Sequence, residues 1–316
     1  MSAAQTTQPP SLAEHAPPKQ RDILRESPEL LEIDNWVFVR KMVEHGVIWG
    51  AGAWLALSVG GFWGLTLGAI LMGFVYARNM EIVHECIHNT AIRWKPLNTV
   101  FGILMATPMI TSFAAWKRSH LQHHQDVRHE GFEFELENIR GVGSLLWHWL
   151  MIDNIIVMFR KMGLALLGRT KHHGIRDDER RDLLIMAAVI VAVVAVSVLW
   201  PTWIFVKLWL LPLIPASIFN FHIQLPEHFE CDRESRDAFR NSRSVDANGL
   251  VAWAVNNNHL HVEHHWLPAV PIKNLPIIER KVRPYIQYRA ESYAGFYARF
   301  YKQLFADPAA SRTSSA

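Results

Sequence analysis

The chain has 316 residues, half of them hydrophobic, and a formal net charge of +3 at pH 7. So mild a basic bias, with no zinc-finger, RRM or helix-turn-helix pattern beside it, excludes a nucleic-acid-binding module. Two cysteines exclude a disulfide framework and fit a reducing, cytoplasm-facing location, and a mean hydropathy barely above zero means that apolar blocks alternate with strongly polar ones.

The chain opens on a Ser/Ala/Gln/Pro-rich stretch without the apolar core of a secretory signal, so residues 1–30 are expected to form a disordered tail. Residues 31–305 are expected to form one all-α membrane domain, and 306–316 a second disordered tail. The apolar run Val47 to Tyr76 is too long for one span and, broken at Gly60-Gly61, long enough for two short ones, at about 46–59 and 63–80. The second of these helices runs on past Tyr76 into the polar sequence at Arg78, and one to three turns beyond its span stands His84-Glu85-Cys86-Ile87-His88. Leu97 to Phe113, with Pro108 and several Thr and Ser, reads as a re-entrant or shallow helical hairpin. His120-Leu121-Gln122-His123-His124 follows. Leu145 to Leu167 mixes Trp and Met with Asp153, Asn154, Arg160 and Lys161 and reads as an interfacial amphipathic helix.

Leu183 to Leu199 carries no charge, and Trp203 to Phe221 is a further apolar run whose Lys207 lies close enough to its end to snorkel. Trp200-Pro201-Thr202 separates them: Pro201 ends a helix, and Trp200 and Trp203 suit an interfacial belt. The expected spans are 183–200 and 203–221, making four transmembrane helices in two hairpins with a cytoplasmic helical cap. Beyond the last span comes a third cluster, His261-Val262-Glu263-His264-His265. The short turns at 60–63 and 200–203 carry no Lys or Arg, whereas the amino-terminal arm, the connection 116–182 and the carboxy-terminal third hold nearly all of them. The positive-inside rule then puts both turns outside, and both termini and all three histidine clusters on the cytoplasmic side.

Histidine is over-represented, with 17 copies. His45, His129, His148, His172 and His173 read as ordinary core or surface residues. The clusters do not. Residues i, i+3 and i+4 share a helix face, so each cluster aims two or three imidazoles the same way, and such sets are costly to bury uncharged without a ligand. A zinc ion takes three or four protein ligands, so the eight cluster histidines imply two metal ions. Imidazole suits iron, zinc, copper and nickel alike, which leaves the metal open at this point.

The order HxxxH, HxxHH, HxxHH around two helix pairs resembles the membrane fatty-acid desaturase and hydroxylase superfamily. His264-His265-Trp266-Leu267-Pro268-Ala269-Val270-Pro271, followed by Leu275-Pro276, is similar to the HHLFPxxPxxxLP tail common there, although Trp266 replaces the usual small aliphatic residue and Cys86 and Glu263 stand where other residues are frequent. The resemblance covers roughly Met80 to Pro276. It implies a non-haem di-iron centre held by His84, His88, His120, His123, His124, His261, His264 and His265. A ninth ligand is expected after the fourth span, in the stretch Asn220 to His228: His228 is preferred, then His222, with Gln224 able to hold a water. His259 is expected to hydrogen-bond a ligating imidazole, and Glu85, Glu227, Glu263 and Asp126, which adjoin the ligands, either do the same or are solvated charges on a helix surface. The implied activity is O2-dependent desaturation of a fatty acyl chain. Hydroxylation or ketolation of a carotenoid, alkane or small metabolite is the alternative within the superfamily.

No Rossmann glycines, no cysteine set for an iron–sulfur cluster and no haem-binding extension are present, so a separate ferredoxin, rubredoxin or cytochrome b5 with its reductase is the expected electron donor. Basic stretches at Arg176 to Arg181 and Arg280 to Arg283 suit an acidic carrier or anionic headgroups equally. Two rival readings are weaker. His84-Glu85-Cys86-Ile87-His88 satisfies the H-E-x-x-H pattern of a zinc protease, but that leaves the other two clusters without a role. A histidine-rich metal transporter would place its ligands near the bilayer midplane, not at the helix ends.

Overall fold

The computed structural model describes residues 17–127, 139, 141–199 and 203–306. The chain divides into two compact units, each discontinuous in sequence: Asp34–Leu121 with Leu145–His222, and Met1–Ile33 with Gln122–Ser144 and Ile223–Ala316.

The first of these is built on a helical hairpin. The Asn35–Trp54 helix is capped by Asp34, whose carboxylate accepts from the Trp36 amide at 2.9 Å. It runs into a π-helical turn at Leu55–Val59. Gly60 and Gly61, both at φ +61°, reverse the chain into the Gly61–Ile87 helix. The reversal is tighter than the expected 60–63, with Phe62 and Trp63 already helical, because two successive glycines accept a left-handed backbone that side chains resist. The two helices cross on small residues: a Cβ added at Gly68 would stand 2.6 Å from the Gly52 carbonyl oxygen, and one at Gly52 would stand 2.9 Å from that of Gly68.

Both helices extend further into polar sequence than the expected spans. The first begins at Asn35 because its polar residues find buried partners on the second. Lys41 pairs with Glu85, Glu44 with Arg78 at 3.3 Å, and His45 Nδ1 lies 2.8 Å from Asn79 Oδ1. The second, continuing to Ile87, puts His84 in its own last turn.

Leu97 to Phe113, expected as a hairpin in itself, is instead a helix with a 3-10 end, Lys95–Met109, and the bend of 101° comes after it, where it meets the Phe113–Gln125 helix. The amphipathic stretch 145–167, expected as one helix, is instead two, Val142–Trp149 and Ile152–Leu166, bent by 46°. Met151 takes a left-handed conformation at the bend, where the Trp147 ring N–H donates to Asp153. At Gly73 an added Cβ would meet the Pro212 carbonyl oxygen at 2.7 Å, so the Gly61–Ile87 and Leu211–Gln224 helices touch at backbone distance. Among the described residues, three helices are long and apolar enough to cross a membrane: Gly61–Ile87, Asp177–Leu199 and Val206–Glu227. The count rises to five if each bent pair is one span. The helix that carries the expected span 46–59 is not among them by length and composition, since its first half holds Arg40, Lys41 and Glu44. The expected turn around Pro201 falls at Trp200 to Thr202, outside the described residues.

The other unit has a soluble-type core of Leu260, Val262, Leu275, Ile278 and Val282, each side chain worth about 1.5–3 kcal/mol when fully buried. Ile23 and Leu30 join it, only 3% and 1% exposed. Residues 17–30 are therefore not the disordered tail that composition suggested. The Gln20–Glu26 helix and the 3-10 turn Pro28–Leu31 dock there, Gln20 Nε2 donating to the Trp266 carbonyl at 2.5 Å and Asn274 Nδ2 to that of Leu30 at 2.9 Å. The rest of the two expected tails, 1–16 and 307–316, lies outside the described residues, and the Tyr293–Ala306 helix runs up to the second. Among the described residues the all-α expectation has one exception, a two-stranded parallel pairing of Arg243–Val245 with Tyr288–Ala290.

Candidate metal centre

In the unit built on the helical hairpin, three histidines face one another. His84 closes the Gly61–Ile87 helix, His88 is its C-cap, and His120 projects from the Phe113–Gln125 helix. His120 Nε2 lies 2.8 Å from His84 Nε2 and 3.0 Å from His88 Nε2. The start of the Phe113–Gln125 helix is fixed by two acceptors: Ser112 Oγ takes the Ala115 amide at 3.3 Å and Asp182 Oδ2 takes the Ala114 amide at 2.7 Å. Arg118, one helical turn further on, holds Asp178 at 2.9 Å and Glu179 at 2.5 Å.

In the other unit, His123, His228, His261 and His265 each offer a ring nitrogen within 4.8 Å of the rest. His228 Nε2 stands 2.9 Å from His123 Nε2 and 3.0 Å from His261 Nε2. Its Nδ1 lies 2.8 Å from the Asn241 carbonyl, to which it donates, so the proton is on Nδ1 and the lone pair on Nε2 points into the cluster. The buried Nε2 of His265 has no hydrogen-bond partner among the described residues. Burial, and then the neighbouring imidazoles of His124, His261, His228 and His123, hold His265 well below the ordinary histidine range. It is neutral, as a metal ligand must be. His124 and His264 form a further pair in this unit, Nε2 to Nε2 at 3.0 Å.

These distances fit a metal better than hydrogen bonding. A neutral imidazole nitrogen carries either one proton or one lone pair, so neither His120 Nε2 nor His228 Nε2 can satisfy two other ring nitrogens at once. A cation resolves the conflict by accepting every lone pair. Two nitrogens about 2.1 Å from one ion and at right angles are about 3 Å apart, which is the spacing found.

Supporting groups surround the ligands. Glu227 Oε1 accepts from Asn258 Nδ2 at 2.7 Å and lies 3.5 Å from His261 Nδ1. Glu263 Oε2 accepts from Ser244 Oγ at 2.6 Å, and burial, against that hydrogen bond, pushes the Glu263 carboxyl up to about 7. Glu85 pairs with Lys41, both nearly inaccessible. His259 is buried and lowered to about 4, first by burial and then by the charge of Arg289. His222 donates from Nδ1 to the Ile218 carbonyl of its own helix at 2.6 Å and belongs to neither histidine group. Gln224 is half-buried at the end of that helix, and Asp126 follows the last turn of the Phe113–Gln125 helix.

Sequence reasoning missed Asn241, Ser244, Asn258, Lys41 and Asp182. The Asn241 contact is a backbone carbonyl and leaves no trace in a sequence. Lys41 and Asp182 are single charges beside apolar runs, and nothing in the sequence ties them to a partner.

Residues 40–297 match the family described as "Fatty acid desaturase". The chain is 22% identical to the sn-1 oleoyl-lipid 12-desaturase of Anabaena variabilis over 253 residues, 72% of this chain and 71% of the other. It is 25% identical to a fatty acid desaturase of Bacillus subtilis (strain 168) over 264 residues, 73% and 72% of the two chains. It is also 26% identical to the beta-carotene ketolase of Paracoccus sp. (strain N81106 / MBIC 01143) over 258 residues, 76% of this chain and 92% of the ketolase. With its facing histidines and long apolar helices, the chain belongs to the fatty acid desaturase family of membrane oxidoreductases.

Proposed function

We propose that this protein is an O2-dependent di-iron enzyme that introduces a double bond into a fatty acyl chain, drawing electrons from a separate ferredoxin, rubredoxin or cytochrome b5 with its reductase. The observation that carries the reading is the convergence of ring nitrogens at about 3 Å spacing on His120 and on His228, which asks for a cation at each. One iron is assigned to His123, His228, His261 and His265. The second is assigned to His84, His88 and His120.

A di-iron centre, when bound, supplies O2 activation strong enough to take hydrogen from an unactivated methylene. The overall balance is two hydrogens lost from adjacent carbons while O2, with two electrons from the donor and two protons, becomes two waters. The residues of this chain set the geometry. The Asn241 carbonyl fixes the tautomer of His228, Glu227 stands beside the His261 ring, and Asp182 fixes the start of the helix that carries His120, His123 and His124. Desaturation and hydroxylation differ by where the second carbon sits, on the order of 1 Å.

The acyl assignment draws on the relatives named for oleoyl-lipid and fatty acid desaturation. The ketolase match, which spans 92% of that protein, favours a second reading, oxidation of a carotenoid ring by the same centre. Lipid and pigment profiling of a carotenoid-producing host expressing the parent or His124→Ala separates them. Acyl desaturation gives new unsaturated chains that vanish in the variant. Unchanged acyl chains with iron fully bound defeat the acyl reading, and a keto product from beta-carotene establishes the second.

A further inference from the structure

We propose that Asn258 is a positioning residue of the four-histidine site, setting the orientation of His261 through the carboxylate of Glu227. The inference rests on the di-iron reading and deepens it.

The sequence Asn256-Asn257-Asn258 explains how the residue is placed. Asn256 and Asn257 take left-handed conformations, φ 52° and 59°, that asparagine tolerates better than most side chains. They close the turn after the Gly249–Ala254 helix, the Asn257 amide returning to the Ala252 carbonyl at 2.7 Å and the Asn258 amide to that of Val255 at 2.9 Å. Asn258 is left 4% exposed, three residues ahead of His261. Its side-chain Nδ2 donates to Glu227 Oε1 at 2.7 Å, and that same oxygen stands 3.5 Å from His261 Nδ1.

Glu227 ends the 3-10 turn Leu225–Glu227, immediately before the ligand His228. Arg243 holds this turn by donating to the Pro226 carbonyl at 2.9 Å. His261 turns its Nε2 toward His228, so Nδ1 is the nitrogen that must keep the proton when a metal takes the other. A carboxylate beside Nδ1 favours that tautomer and makes the ring a better donor. The role of Asn258 is to keep the carboxylate there. Its amide carries no charge, so it directs the carboxylate without neutralising it.

The test is the release of iron from the iron-loaded full-length protein in detergent, kept reduced under argon and challenged with a colorimetric Fe(II) chelator. Asn258→Leu removes the donor at similar volume. One of the two irons should leave about 10–100-fold faster while the other keeps its parental rate, the usual scale for losing a group that orients a ligand. Glu227→Gln should accelerate the same iron, and the double variant should lose it no faster than the faster single variant. Release within about twofold of the parent, equal acceleration of both irons, or multiplying effects in the double variant would overturn the proposal. If Asn258→Leu fails to fold, Asn258→Ser, too short to reach Glu227, is judged by the same criteria. A parent that binds no iron refutes the di-iron reading and this inference together. A parent with two irons whose Asn258 variants release them at parental rates refutes the inference alone.

Discussion

A helix N-terminus buried in a protein leaves amides that must be satisfied, and at the helix bearing His120, His123 and His124 the task falls to Ser112 and Asp182. Asp182 is 2% exposed, accepts from the Ala114 amide, receives Ser112 Oγ at 3.3 Å and pairs with Arg181 at 2.9 Å. Replacing it with alanine strands a buried amide and removes a hydrogen bond to a charged group, a loss of about 1.5–3 kcal/mol. Asp182→Ala should therefore lower the thermal unfolding midpoint in detergent, and Asp182→Asn, which keeps an acceptor of the same shape, should recover most of the difference. Equal midpoints for parent and alanine variant would show that the cap does not hold this helix. Glu263 and Ser244 follow the same logic on the third cluster: Ser244 Oγ donates to the carboxylate and accepts the Val262 amide at 3.1 Å.

Individual elements differ in how far their sequence announces them. The i, i+3, i+4 spacing of the histidines made their shared faces readable, because a helix imposes that periodicity on any side chain. The Gly60-Gly61 break was readable for the same kind of local reason. The Gln20–Glu26 helix was not: it spans seven residues with one buried position, Ile23, too few turns for a pattern to show. The strands Arg243–Val245 and Tyr288–Ala290 were also illegible, being three residues each and paired over a long separation. Their junction carries its own charge cluster. Asp246 accepts the Arg289 guanidinium and lies 3.2 Å from that of Arg283, while Glu279 holds the same two arginines at 3.0 and 2.6 Å. Burial alone would raise the Asp246 carboxyl, but the two arginines outweigh it and hold it below the usual carboxylate range. A depressed folded-state value means that the ion pair stabilises the protein above the unfolded carboxyl's ordinary value, near 4, and that this contribution is lost as pH falls through the lower folded value. Asp246→Asn should consequently lower the thermal midpoint at pH 7, and the gap to the parent should close as melts are repeated toward pH 3. A gap independent of pH would mean that packing of the side chain, not its charge, holds the junction.

At the scale of the molecule, sidedness turns on how many times the chain crosses the bilayer. Three helices qualify by length and composition, and three crossings would put the two ends of the chain on opposite sides. The hairpin geometry argues for a fourth. Past His45 the first helix and its π-helical turn carry no charge, and Val47, Trp54 and Leu57 are exposed on it at 66%, 60% and 44%. In water these side chains would form an unfavourable apolar stripe, whereas in lipid they cost nothing. Lys41, Glu44 and His45 of its polar first half pair with Glu85, Arg78 and Asn79 of the neighbouring helix while Arg40 stays exposed, so length and hydropathy undercount a span most of whose polar groups are partnered inside the protein. Four crossings, with the stretches 60–61 and 200–203 that carry no Lys or Arg on one side, would place both ends on the other. Fusions expressed in a bacterium read this directly. Green fluorescent protein at either end should fluoresce and alkaline phosphatase at either end should be inactive, while phosphatase inserted at Gly60 should be active. Termini reporting opposite sides would establish an odd number of crossings and remove the first helix from the membrane.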